Sequence, residues 1–259
     1  MLIRLLLLVT VFLAGGSLMS LEMASFRLVQ PEFGGDIIVW GSLISVFLGG
    51  LSLGAIAGGR FADYAPRLWK LGAILAAAGV LTLLLPLPIL PADAPGAAGE
   101  SIADRVMAWM FPGEGAPLPR EWETTERDGL TIYRPGDLRW PTLAVGALLF
   151  GVPALLLGSV TPYTARLFIH SLGRVGTGVG QVSGSQTVGS IAGTLGTAFY
   201  LVTWMGTRWL ILSNGLVLVG VGAVLALADA LAKPDAGNRK AEIGNRNPES
   251  ATSNAEKQA

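Results

Sequence analysis

Six stretches of the chain carry no Asp, Glu, Lys or Arg: 5–21, 37–58, 71–90, 140–165, 175–207 and 209–228. A charge-free apolar run of about 18 residues or more reads as a transmembrane helix, because a bilayer core takes roughly 20 residues to cross. The pattern predicts an all-α, polytopic membrane bundle with six spans, near 3–25, 37–58, 68–90, 141–161, 177–203 and 209–230. The bundle occupies 1–231, residues 91–140 form an outer loop between spans three and four, and 232–259 form a disordered cytoplasmic tail. Arg4 before an apolar run ending at Ala14-Gly15-Gly16-Ser17 also fits a cleaved signal peptide. The run continues through Leu18, Met19 and Leu21 without a clear small-x-small site, so the segment is taken as a retained span.

Loop charges set the expected orientation. The connection 59–70 carries Arg60, Arg67 and Lys70, and 162–176 carries Arg166 and Arg174, whereas the opposite short loops offer only Arg27 and Arg208. The positive-inside rule places the first two connections and both termini in the cytoplasm. Trp40, Trp140, Trp204 and Trp209 then fall at outer ends, where an amphipathic ring suits the headgroup layer. The expected location is the bacterial cytoplasmic (inner) membrane, multi-pass.

Composition narrows the field. Charged residues are 14%, Gly is 35 of 259 and mean hydropathy is +0.56, against about a quarter charged in soluble domains. Cysteine is absent, which excludes disulfide scaffolds, zinc ribbons and thiol redox chemistry. Zero net charge gives no support for nucleic-acid binding. Residues 91–140 hold nine acids against five Arg, which reads as a solvated outer loop or as a surface attracting a cationic solute. Within it, Ile102, Val106, Trp109 and Met110 line one face of a short predicted helix, and Glu126-Arg127-Asp128-Gly129 turns a small hairpin into Leu130–Tyr133.

Small residues recur every fourth position in two spans. Span two reads Gly50-x3-Gly54-x3-Gly58, and span five reads Gly180-x3-Gly184, then Ser185-x3-Gly189-x3-Gly193-x3-Thr197. Such rows let a neighbouring backbone approach in lipid, so both helices are expected at the centre of the bundle, as tight packing or as a moving, solute-lining interface. Span five is also polar, with Gln181, Ser183, Ser185, Gln186, Thr187 and Ser190, which either bond across to neighbours or line a hydrated cavity. Pro153 predicts a kink in span four, and Pro162 closes it.

Few residues offer chemistry. Glu22 is the acid placed at the membrane boundary, and Arg27 lies about 140° around the same helix, poorly placed to pair with it. Asp63 with Arg67 could latch the cytoplasmic side. His170 is the only histidine, with no carboxylate company for a metal. No Ser/His/Asp set, Walker A loop, HExxH or CxxC occurs. Gly176-Thr177-Gly178-Val179-Gly180 fails the dinucleotide fingerprint, since Gln181 or Ser183 takes the third glycine's place. No cofactor or metal is expected. Spans 1–3 and 4–6 each place a Gly-rich helix in the middle, which suggests a 3+3 inverted repeat.

Several blocks together resemble the membrane domain of the fused major-facilitator/spermidine synthase-like proteins. They are Leu21-Glu22-Met23-Ala24-Ser25-Phe26-Arg27-Leu28, Pro31-Glu32-Phe33-Gly34, Trp40-Gly41-Ser42-Leu43-Ile44 and Gly58-Gly59-Arg60-Phe61-Ala62-Asp63. Pro153 through Pro162, Gly189-Ser190-Ile191-Ala192-Gly193-Thr194 and Gly206-Thr207-Arg208 complete the set. The resemblance covers roughly 10–225 apart from the outer loop. It implies a membrane bundle that normally precedes a cytoplasmic aminopropyltransferase-like Rossmann domain. About 28 residues follow span six here, so aminopropyl transfer by this chain itself is not expected. The expected function is a non-catalytic module that anchors, regulates or serves a separately encoded synthase-like partner. A small solute carrier, for a polyamine or other cation, and a structural subunit of a larger membrane complex stay open. Expected partners are the lipid bilayer and either that cytoplasmic protein or a second copy of the chain, with no nucleic acid.

Overall fold

The computed structural model describes residues 2–64, 66–86, 123–127, 130–134, 139–169 and 175–232. Its helices are α1 (Leu2–Phe33), α2 (Ile37–Asp63), α3 (Leu68–Leu84), α4 (Arg139–Phe168), α5 (Val175–Gly196) and α6 (Thr207–Ala232). A π-turn, Thr197–Leu201, and a last turn, Val202–Trp204, continue α5. Between α3 and α4, β1 (Glu123–Arg127) and β2 (Leu130–Arg134) form an antiparallel hairpin with Arg127 opposite Leu130. The Asp128-Gly129 turn, the 102–110 helix, His170 and the tail from 233 lie outside the described residues.

Local chemistry sets the breaks. Gly34, at φ +82°, gives its N–H to Gln30 O and ends α1 in the left-handed conformation that glycine adopts without strain. Two residues later the Asp36 carboxylate accepts from Ile37 N and caps α2. Span three was expected to reach residue 90. Its helix stops at Leu84: Leu85 keeps helical dihedrals, but its N–H turns back to Thr82 O (3.3 Å), and Pro86 has no N–H with which to continue the ladder. Neither proline ends α4: the helix runs through Pro153 and Pro162 to Phe168, since neighbouring helices can hold a proline-interrupted segment in place.

Four helical segments are long and apolar enough to cross a membrane: Leu2–Gln30, Ile37–Asp63, Arg139–Phe168 and Thr207–Ala232. They mark the chain as a membrane protein. Helix α3 is apolar but only 17 residues long, and α5 is diluted by Gly, Ser, Thr and Gln.

The helices pack chiefly as three pairs, α1 with α5, α2 with α4 and α3 with α6. Contact registers give their directions. Leu8 meets Ser185, Phe12 meets Gly189, Gly16 meets Gly193 and Ser20 meets Thr197, so α1 and α5 run parallel. Leu43 meets Gly146, Phe47 stacks on Phe150 at 5.8 Å and Gly50 meets Ala154, so α2 and α4 also run parallel. Gly72 meets Gly222 while Gly79 meets Gly215, so α3 and α6 are antiparallel. Exchanging α1 with α4, α2 with α5 and α3 with α6 turns this set of pairs into itself.

The most buried span is α4, with 56% of its apolar window inside, against 39% for each of the other three. The expectation that the glycine-rich helices occupy the centre does not hold. A glycine row buries one narrow stripe against one partner, and α5 leaves its opposite side bare, with only Gly178, Val182 and Gly189 buried along its α-helical length.

Candidate functional site

The α1·α5 seam combines close approach with hydrogen bonds. A Cβ on Gly189 or Gly193 would run into the carbonyls of Phe12 and Gly16. Beside these contacts, the Ser185 hydroxyl donates to Leu8 O (2.8 Å) and the Ser190 hydroxyl to Gly15 O (3.3 Å). At the top of the seam, Thr197 Oγ1 and Asn214 Nδ2 both donate to Ser20 Oγ, each at 2.8 Å. Asn214 Nδ2 also donates to Leu210 O. This buried node joins α1, α5 and α6 where the π-turn starts. Sequence reasoning passed over Ser20 and Asn214; a lone Asn inside a charge-free span was the signal that pointed there.

Gln186 closes a second junction, accepting from Thr161 Oγ1 of α4 at 2.5 Å while lying against Gly15 of α1. Gln181 is exposed, and Gly180 and Gly184 have open space where a side chain would stand. In the α2·α4 seam, Cβ atoms on Gly50 and Gly58 would come within 2.7 Å of Ala154 Cβ and 2.5 Å of Ser159 Cβ, and one on Gly54 would meet the Leu155 carbonyl. A shallow apolar groove of about 390 Å³ flanks this seam, lined by Gly49, Leu53, Ala147 and Leu155 among others.

At the end where α1 and α3 begin, Asp63 pairs with Arg166 (Oδ1–Nε 3.7 Å), both side chains more than half exposed. The ring of Tyr163 is fully buried, and its hydroxyl accepts from Arg67 N (3.1 Å) and donates to Arg67 O (3.3 Å). Arg67 is the N-cap residue of α3 and has no side-chain cap of its own, so a tyrosine about a hundred residues away tethers that helix start. Arg4 lies over the Phe168 ring and Lys70 over Phe61. The same end thus gathers Arg4, Arg60, Arg67, Lys70 and Arg166 against Asp63 and Asp229 among the described residues.

Toward the other end, Glu22 is partly buried on α1, and its backbone carbonyl accepts from Ser25 Oγ. Its carboxylate has no ion pair or hydrogen bond among the described residues. One turn on, Phe26 packs on Trp40 of α2 with ring centroids 4.5 Å apart. Arg27 is exposed. Among the described residues no three His, Cys, Asp or Glu side chains gather to hold a metal ion, and the buried hydroxyl of Thr164 alone lacks a hydrogen-bond partner. No family model, no curated protein and no solved structure matches the chain.

Proposed function

We propose that the chain is a six-span, non-catalytic membrane module of the spermidine synthase-like type, built from two inverted helix triplets. The observation that carries the architecture is the self-exchanging pair pattern, with α1·α5 and α2·α4 parallel and α3·α6 antiparallel. Six alternating crossings produce those directions, and inverted triplets of this sort recur in carriers. Ring placement supports the crossing depth: Trp40 to Phe61 spans about 32 Å of helix, close to the roughly 30 Å of a bilayer core. Exposed Trp140, Tyr200, Trp204 and Trp209 mark the Trp40 end, and Tyr64 and Trp69 the other. The excess of cations beside Tyr64 favours that end as cytoplasmic, in a bacterial inner membrane. Because the chain has no cysteine, single cysteines at Gly34, Gly206, Tyr64 and Val175 test this directly. The first two should react from outside and the last two from inside. Gly206 and Val175 on one side would remove α5 as a span.

The module serves a separately encoded synthase-like protein, whose acidic surface docks on the arginine-rich end. Co-purification from detergent should weaken as salt rises and should fall in Arg60→Glu/Arg67→Glu. A complex indifferent to both changes would argue against docking there. A second reading, a small-solute carrier, is favoured by the bare polar side of α5, where Gln181, Ser183 and Thr187 are exposed. Proteoliposome uptake of a labelled amine decides for it, and absence of any flux decides for the docking role alone.

A further inference from the structure

Among the charged residues of the described helices, every one except Glu22 stands within about two turns of a helix end. Helix α5 has no charge at all, and those of α2, α4 and α6 sit at their termini. Glu22 stands about 6 Å of helix below Phe26, which packs on Trp40 at the edge of the apolar zone. An ionised carboxylate at that depth is costly unless something positive joins it. Nothing does within the described chain: Arg27 projects about 140° away, and no lysine or arginine pairs with Glu22.

The face that carries Glu22 is also specific. Gly15, Met19, Glu22 and Phe26 follow one another at helical spacing. Gly15 touches Gln186 of α5, and Phe26 touches Trp40 of α2, so this stripe faces the space between α5 and α2. Met19, Glu22, Phe26 and Trp40 are all partly exposed along it. A carboxylate one turn from an aromatic pair is the combination that recognises an alkylammonium: the acid neutralises the head, and the ring faces attract the charge and cover the alkyl chain.

We propose that Glu22, with Phe26 and Trp40, forms a binding site for an organic ammonium, opening between α2 and α5 near the Gly34 end of the bundle. The site rests on α1 crossing the bilayer and not on any cytoplasmic partner.

Dicyclohexylcarbodiimide labelling of the full-length protein in proteoliposomes, read by mass spectrometry at Glu22, tests it with n-butylammonium as the probe. Labelling should be slowed several-fold by n-butylammonium, and left unchanged by 1-butanol or by sodium chloride at equal concentration. Trp40→Leu should weaken the protection about three- to tenfold, the size of a partly desolvated cation–π contact, while leaving unprotected labelling intact. Glu22 labelling that n-butylammonium does not slow, or that 1-butanol slows equally, overturns the site. Cysteines at Gly34 and Tyr64 in the same vesicles separate the causes of failure. If both report one side, the bilayer placement falls and takes the site with it; if they report opposite sides while Glu22 goes unprotected, the site alone falls.

Discussion

The two parallel helix pairs use the same backbone device and different glue. In α2·α4, glycines at 50, 54 and 58 admit Ala154, Leu155 and Ser159, and the contact is completed by Phe47 stacked on Phe150. The hydroxyls there stay within their own helices, Ser45 on Gly41 O and Ser159 on Leu156 O. In α1·α5, glycines at 189 and 193 admit Phe12 and Gly16, yet Ser185, Ser190 and Thr197 bond across to the other helix. Lipid tails are as apolar as leucine, so neither pair gains from hydrophobic burial alone. The first relies on dispersion between closely fitted surfaces and the second adds hydrogen bonds. Dispersion falls off within a fraction of an ångström, so both seams depend on the closeness of their glycine contacts. The hydroxyl-to-carbonyl bonds add direction to the α1·α5 contact, which dispersion alone lacks.

The largest test asks whether both seams share the same steric limit. Gly54→Leu and Gly189→Leu each drive a side chain into a neighbouring carbonyl. Each should cost at or beyond the top of the about 1–3 kcal/mol range for overpacking, and detergent-purified protein should lose its single size-exclusion peak. A well-behaved Gly189→Leu would mean that α5 is not seated on α1 as described. Next in size is the buried node. Asn214→Leu and Ser20→Ala should each lower stability by about 1–2 kcal/mol, read as a shifted thermal midpoint. Ser159→Ala, whose hydroxyl only serves its own helix, should shift it far less. Equal shifts would erase the distinction between the seams.

How far the sequence disclosed this architecture depends on what each signal measures. Charge-free length located the helices, because the bilayer demands apolar residues in bulk, and four segments meet that demand. Glycine spacing identified a close-packed stripe on α2 and on the second half of α5. It could not tell which helix lay against the stripe, since a row of small residues admits any backbone. Gly180 and Gly184 share the spacing and touch nothing. Asp63 and Arg67 were visible as charges, but the tether at Arg67 is its backbone on the Tyr163 hydroxyl, which local sequence cannot reveal. The node of Ser20, Thr197 and Asn214 joins three helices through neutral groups, and pairing of neutral groups leaves no charge pattern to read.

The tether is also the exception to the contrast, because it gives the α2·α4 side one long-range hydrogen bond of its own. Tyr163→Phe keeps the buried ring and removes only the hydroxyl, so it should cost about 1 kcal/mol. The loss should appear as faster exchange of the Arg67 amide and its neighbour Leu68 with α4 unaffected. Uniform loosening of α2 and α4 would instead show that the apolar seam depends on this bond.

The smallest expected effect is the sharpest comparison, since it sets two serines of equal volume against each other. Ser185→Ala removes a bond from α5 to Leu8 O of α1, and Ser45→Ala removes one from α2 to its own Gly41 O. A cross-helix bond in a membrane protein averages about 0.6 kcal/mol. The Ser45 hydroxyl is exposed and bonds back onto its own helix, so its loss should be close to neutral. Thermal midpoints in one detergent should therefore fall measurably for Ser185→Ala and stay within error for Ser45→Ala. If the two variants behave alike, the serines of α5 are not holding it to α1, and close glycine contact alone accounts for both pairs.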